Sequence, residues 1–422
     1  MIIVVIMLVV MSKFIGNKNL NVESGSTRKA KFDVQPIKTY ITECLAEVSK
    51  DGLKKIGRQG GYLFTSQGGT LVDYTQDDRD KFFIEHEGSK VVYNILKPRF
   101  DVNEYSAAVP DYPWKFFPYF PSKNDREKFE AQDIFGANMM PALKKTKAQS
   151  MQLQLETFVG NNIGNCLDFS TFEEQGFKFS KKENKTIVSI NENDVVFKME
   201  FPITVEASSG EKTELKDFLA KHNLRLAKMH DFADTLIEND ISNIKFDISK
   251  GSSGDFIVEV KRDISGKDDL IIITDKKSLL DNAPYKYFFA RKNRAPALHY
   301  IKDDKISMTK QMKPTYGFEY KEDPITKKIT KKLVITGEEE DMQPLTINLK
   351  ANEVEIRREK PVKINLDASD ADEDTPIFSS ASSGVSNFGC PTNDFSFKIE
   401  VGDGDDGNPK DYQIITVSME RC

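Results

Sequence analysis

The residues able to do chemistry are few and scattered. Histidine occurs four times, at His86, His222, His230 and His299. No His-Glu-x-x-His is present, and no two histidines stand at metal-ligand spacing, so a zinc-type hydrolytic centre has no visible donor set. His230 and Asp234 form an i,i+4 pair of the kind that decorates a helix with charge. His222 and His230 lie about two turns apart on one expected helix, too far to share a metal. No Gly-x-Ser-x-Gly elbow occurs, and Ser26-Thr-Arg-Lys29 and Ser307-Met-Thr-Lys310 lack the companion motifs of a Ser-x-x-Lys enzyme. The cysteines, at 44, 166, 390 and 422, have no zinc spacing. The chain carries 66 Asp+Glu, too many for the sequence to select one glycosidase pair. No residue is therefore assigned to catalysis. The reading is a non-enzymatic protein, with an extracellular hydrolase of glycan or peptide as the alternative.

Two other groups suit binding. Tyr112, Trp114, Phe116, Phe117, Tyr119 and Phe120 are interleaved with Pro110, Pro113, Pro118 and Pro121, which forbid a helix. They form either an aromatic platform for a sugar or a partner protein, or a long loop pinned across the core by its rings. Acid forms the second group. The stretch from 361 to 422 holds 12 Asp+Glu against 4 Lys+Arg, a charge of −8 within a chain of net charge −6. That overall balance argues against a nucleic-acid binder, which needs a basic face.

These groups need a scaffold. Met1–Met11 is an unbroken apolar run, shorter than the roughly 20 residues of a spanning helix. It is read as the downstream part of a membrane anchor over 1–16, followed by a polar tether over 17–34. An α+β body over 35–312 comes next. Pro36 opens a helix whose face is Ile37, Ile41, Cys44, Leu45 and Val48, with Gly57 as its C-cap. Gly57-Arg-Gln-Gly-Gly-Tyr62 is a tight turn and not a phosphate loop, because no Lys-Ser/Thr follows. A second helix is expected over about 150–165. A hairpin follows over 186–205, turning at 191–194. A third helix is expected from about Thr213 to Asn239, then strands near 256–260, 270–273 and 285–290. After about residue 313 every periodic segment alternates, giving a β-rich connector over 313–349 and an all-β sandwich over 350–422.

Two resemblances accompany this organisation. Val362–Asp374, Asp394–Gly404 and Tyr412–Ser418 resemble an extracellular immunoglobulin-like domain of the cadherin-like, putative-Ig type. That implies an adhesive or structural module on a cell surface. Tyr40-Ile-Thr-Glu-Cys-Leu45, Gln59-Gly-Gly-Tyr62, Gly164-Asn-Cys-Leu-Asp-Phe-Ser170 and Tyr285-Lys-Tyr-Phe-Phe-Ala290 resemble segments of uncharacterised membrane-anchored surface proteins of small-genome archaea. That implies a cell-surface location and no assigned activity. Asn184-Lys-Thr186 is an N-glycosylation sequon beside the hairpin. The resulting expectation is a membrane-tethered surface protein, held through its N-terminus, that serves adhesion, ligand binding or envelope structure.

In such a sandwich the loop after 362–366 and the loop joining 395–401 to 412–420 lie at one end. Asp367, Asp370, Asp372, Glu373 and Asp374 would then face Asp403, Asp405 and Asp406. Clustered carboxylates repel unless a cation intervenes or their pKa values rise. Calcium, with 6–8 oxygen ligands, is the expected cation, held by Asp367, Asp370, Asp372, Asp374, Asp403 and Asp405. The alternative is two solvated acidic loops. The same hairpin is centred on 406, as is the pair Cys390 and Cys422, so these cysteines stand opposite one another across the ladder. Cys44 and Cys166 then join the first two helices. Mass spectrometry of an unreduced digest is expected to show a Cys390–Cys422 peptide. A dominant Cys44–Cys390 peptide, or four free thiols in exported material, contradicts the pairing.

Overall fold

In a computed structural model, the structure describes residues 33–79, 81–97, 135–144, 149–298, 315–322, 324, 329–336, 345–350, 353–357, 361–380, 386–388, 395–405 and 410–419. The expected anchor and nearly all of the tether, the aromatic run 112–120, and Cys390 and Cys422 lie outside them. No described helix is long and apolar enough to cross a membrane.

The fold is mixed α/β, with a curled half-barrel sheet and four described α-helices. Helix α1 spans Gln35–Arg58, with Pro in its first turn and Ile37, Ile41, Cys44, Leu45, Leu53 and Ile56 buried along one face. Pro is tolerated there because the first amides have no helical acceptor. Gly57 is not a cap: it is buried inside the helix, where an added Cβ would stand 2.6 Å from the Lys286 carbonyl oxygen. The turn that follows does use its glycines, at Gly60 (φ +72°) and Gly61 (φ +86°), a region that penalises a side chain. Helix α2 is Met151–Cys166, capped by Ser150 through a bond from the Leu153 amide. A disulfide from Cys44 to Cys166 ties α2 to α1, with the Cα atoms 5.8 Å apart. Helix α3 is the short Ser170–Glu174, and α4 is Leu226–Ser242.

One sheet is ordered β1-β2-β10-β9-β8, with β1 Phe83–His86, β2 Ser89–Leu96, β8 Phe256–Ser265, β9 Asp268–Leu280 and β10 Ala283–Arg291; β3 Ala137–Asn138 pairs with β2. It is antiparallel except where β10 runs parallel to β2. In a second sheet β6 Val195–Glu206 is paired along one edge by β5 Lys185–Ile190 and β4 Lys178–Lys181, and along the other by β7 Lys212–His222. Helix α1 packs against both β7 and β10, and one apolar core runs from the helices into both sheets.

Two further expectations are corrected. The single helix over Thr213–Asn239 is instead strand β7 followed by helix α4. The register of β6 against β7 shifts between Glu200 and Ile203, so β7 buries Leu215, Phe218 and Ala220. The three-residue step from 215 to 218 imitates helical spacing. Leu219, which the helix would have buried, is exposed. His222 and His230 consequently sit on different elements.

The all-β immunoglobulin sandwich over 350–422 is not evident. The strands after 314 form a five-stranded sheet, β12 Thr315–Glu322, β13 Ile329–Thr336, β21 Asp411–Met419, β20 Phe395–Gly402, β18 Ile377–Ser380. They also form a four-stranded sheet, β16 Pro361–Asn365, β15 Glu353–Arg357, β14 Leu345–Lys350, β19 Ser386–Phe388. Both sheets draw strands from before residue 350, and β13 lies parallel to β21. The alternation of each strand was visible in sequence, but a two-residue period does not encode which strand it pairs with. The β20–β21 hairpin does pair, from Phe395 opposite Val417 to Val401 opposite Asp411. A further link runs back to the body, where β11 Ala297–Leu298 pairs with β17 Ala368–Ser369.

Gly57→Ala tests the close approach of α1 to β10. Overpacking against backbone costs about 1–3 kcal/mol, more than the helix propensity gained, so the melting temperature is expected to fall. An unchanged or raised melting temperature contradicts the contact.

Candidate functional site

Two places concentrate polar and aromatic chemistry. The first is where the body meets the C-terminal strands. Strand β10 ends at Arg291, and Lys292-Asn293-Arg294 continues from it. Arg291 and Arg294 have fully buried side chains, at 0% exposure. The Arg291 guanidinium lies 2.8 Å from Asp240 Oδ1, 2.7 Å from Asp269 Oδ2 and 3.2 Å from Asp372 Oδ1. Arg294 reaches Asp240 Oδ2 and Asp372 Oδ1, each at 2.7 Å, and donates to the Phe135 and Ala371 carbonyls. Its backbone amide donates to Asp372 Oδ2 at 2.5 Å. Arg262 adds a third cation, donating to Asp269, to the Asp372 carbonyl and to Glu373. Burial opposes the charge on Arg291, but Asp240, Asp372 and Asp269 outweigh it and raise its pKa.

The acids named from the sequence are distributed around this node. The 366–376 loop and the start of the 403–405 turn both meet the 291–294 segment. Asp372 is held as described, and Asp403 accepts from Asn293 Nδ2 at 2.9 Å. Asp370 folds inward, its Oδ1 taking the amides of Asp372 and Asp374 at 2.8 and 3.1 Å. Asp374 faces Lys267 at 3.8 Å. Asp367 is exposed and accepts from its neighbour's amide, and Asp403 also caps the Asp405 amide. The cations facing Asp372 are therefore guanidinium groups. Among the described residues no group of three or more His, Cys, Asp or Glu is arranged to hold a metal ion.

The second place is a cavity of about 140 Å³ whose walls include Tyr62, Leu71, Tyr74, Phe82, Tyr93 and Met139, with Lys81 and Gln149 as polar groups. Tyr74 stacks on Phe82 at 4.8 Å between centroids, nearly parallel at 11°. The Phe82 ring is 43% exposed. Tyr62 donates to the Met139 carbonyl at 2.6 Å, and burial, with Tyr74 nearby, pushes its hydroxyl up to about 12. Lys90 fixes Tyr74 by donating to its carbonyl at 2.6 Å, with its ammonium 4.9 Å from the Phe83 ring centroid. Tyr93 connects the two places: it lines the cavity and donates to Asp268 Oδ2 at 2.6 Å. Asp268 in turn accepts from Lys292 and from the Asn293 amide.

The remaining residues named from the sequence are dispersed. His230 bonds the Pro141 carbonyl at 3.0 Å, and Asp234 accepts from Asn138. Asn184 donates to the Gly160 carbonyl, and Thr186, the sequon's hydroxyl, is 8% exposed. Among the described residues a serine meets a histidine where Ser49 Oγ lies 2.7 Å from His222 Nε2. Ser49 is wholly buried and also bonds the Leu45 carbonyl at 2.6 Å, one turn back. A hydroxyl so enclosed offers no approach to a scissile carbonyl. Among the described residues lining the aromatic cavity there is no carboxylate, histidine or cysteine.

Sequence reasoning did not single out Arg291, Arg294, Asp240 or the rings of the cavity. One signal was present: Asp240 falls between Leu236, Ile237 and Ile241 on the apolar face of α4, where an acid requires a buried partner. No family model, no curated protein and no solved structure matches the chain.

Arg291→Met keeps the length of the side chain and removes its charge. It takes from Asp240 and Asp269 one of their two guanidinium partners, leaving Arg294 to the first and Arg262 to the second, and breaking a buried pair costs about 3–5 kcal/mol. Urea unfolding is expected to show a loss of this size. A loss below about 1 kcal/mol, the value of a surface pair, contradicts the geometry.

Proposed function

We propose that this protein is a membrane-tethered, extracytoplasmic binding protein, and that its aromatic cavity receives one six-membered ring of a glycan. The cavity carries the reading. A volume near 140 Å³ is comparable to the apolar cavities of about 150 Å³ that accept a single benzene ring. The stacked Tyr74 and Phe82 offer ring faces to the C–H surface of a pyranose, while Lys81 and Gln149 supply hydrogen bonds to hydroxyls. The absence of a carboxylate, histidine or cysteine among the described lining residues favours binding over hydrolysis. The extracytoplasmic location draws on the apolar run Met1–Met11 and on the Cys44–Cys166 disulfide, since such bonds persist in oxidising compartments. Adhesion to surface glycans is the role this combination suits.

The full chain, screened on a glycan array and titrated with the best hits, is expected to bind a glycan. Tyr74→Ala and Phe82→Ala are each expected to weaken binding on the order of tenfold, equivalent to about 1.4 kcal/mol, without changing the melting temperature greatly. Failure to bind any glycan, or binding indifferent to both substitutions, contradicts the assignment. Protease added to intact cells is expected to trim the protein. Complete resistance on cells, with cleavage after lysis, contradicts the location.

A further inference from the structure

The loop from Asp370 to Asp374 holds more acid than its cations neutralise. Asp372 is matched by Arg291 and Arg294. The other three acids of the loop are less well served. Asp370 is turned into the fold with Oδ2 buried and without a hydrogen-bond partner. Asp374 Oδ2 is likewise buried without a hydrogen bond, its nearest cation being Lys267 at 3.8 Å. Glu373 is shared between Arg262, which donates to it, and Asp247 on the segment after α4, a second carboxyl group.

Among the described residues, the charged groups facing this loop come from several elements. The β8–β9 hairpin presents Arg262, Asp263, Lys267 and Asp269; α4 presents Asp240; the segment after α4 presents Asp247 and Lys250; β10 and its continuation present Arg291 and Arg294. Three arginines already answer Asp240, Asp269 and Asp372, so among the described residues further negative charge in the loop has Lys267, Lys250 and the Arg262 already shared with Asp269 to meet it. Ionising Asp370, Glu373 and Asp374 together would set them against Asp372, Asp263, Asp269 and Asp247.

We propose that residues 370–374 form a proton-operated clasp between the body and the C-terminal strands, closed at mildly acidic pH and loosened as pH rises. Burial, then the charge of Asp372, pushes Asp370 up to about 7, and burial pushes Asp374 up to about 6. Glu373 is raised by burial and by its bond to Asp247. The direction follows from linkage. An acid whose folded pKa lies above its unfolded value stabilises the closed form below the unfolded pKa. That contribution is lost as pH climbs from about 4 through the folded values. The clasp therefore weakens between about pH 4 and 7, the interval set by 3.8 and by about 6 and about 7.

Hydrogen exchange of the full chain tests this. The amides of Asp372 and Asp374 donate to Asp370, and the amide of Arg294 donates to Asp372, so their protection reports clasp closure. With the amides of the β6–β7 pair as internal standard for intrinsic rate, protection in 370–374 and 291–296 is expected to fall by about tenfold or more between pH 5 and pH 8. Asp370→Asn with Asp374→Asn retains an acceptor oxygen at each position and cannot ionise there, so its profile is expected to be much shallower than wild type, with only the part due to Glu373 left. Should that double variant fail to fold, Glu373→Gln alone is expected to flatten part of the profile. A wild-type ratio constant with pH, or variants that lose protection as steeply as wild type, overturns the clasp.

Discussion

Two guanidinium groups removed from water, Arg291 and Arg294, are the constraint on which the junction of this protein depends. An unpaired buried charge is prohibitively costly, so the chain must bring carboxylates to them from wherever it can. Helix α4 supplies Asp240, strand β9 supplies Asp269, and the loop after β16 supplies Asp372, 78 residues beyond Arg294 in sequence. None of these contacts needs to add net stability over a well-packed apolar junction. Their value is geometric. A guanidinium presents planar donors at fixed angles, so only one placement of the 370–374 loop satisfies both arginines. The β11–β17 pairing and the Asn293–Asp403 bond then follow on either side of the same short segment.

The aromatic cavity belongs to the same framework through Tyr93. Its ring helps to form the cavity wall, and its hydroxyl is bonded to Asp268, which also holds Lys292 and the Asn293 backbone. The cavity is thus attached on one side to the segment that carries the buried arginines. On the other it ends at Phe82, which is half-exposed.

Local features were legible in the sequence wherever a single period governed a whole element. Ile37, Ile41, Leu45 and their neighbours specified α1, and the alternation from Val195 to Val205 specified β6. The β20–β21 hairpin was centred correctly because its turn residues flank two clean strands. Legibility failed at β7, where a register shift replaced a two-residue step by a three-residue step. It failed again beyond residue 313, where alternation identified strands but not partners. The acidic loops show a third limit. They were expected to face one another at the end of an immunoglobulin sandwich that the structure does not form. The arginines facing them could not be inferred, since attraction between residues 78 apart leaves no local trace. Asp240 came closest to betraying the node, as an acid in the buried phase of α4.

The central claim is that Arg294 and Asp372 form one buried, mutually dependent unit joining the body to the C-terminal strands. A double-mutant cycle in the full chain, with Arg294→Met, Asp372→Asn and their combination followed by urea unfolding, measures that dependence directly. The account predicts a coupling energy of about 1.5 kcal/mol or more, within the range of about 1.5–7 kcal/mol found for close charge pairs. Additive effects, with coupling below about 0.5 kcal/mol, would contradict it.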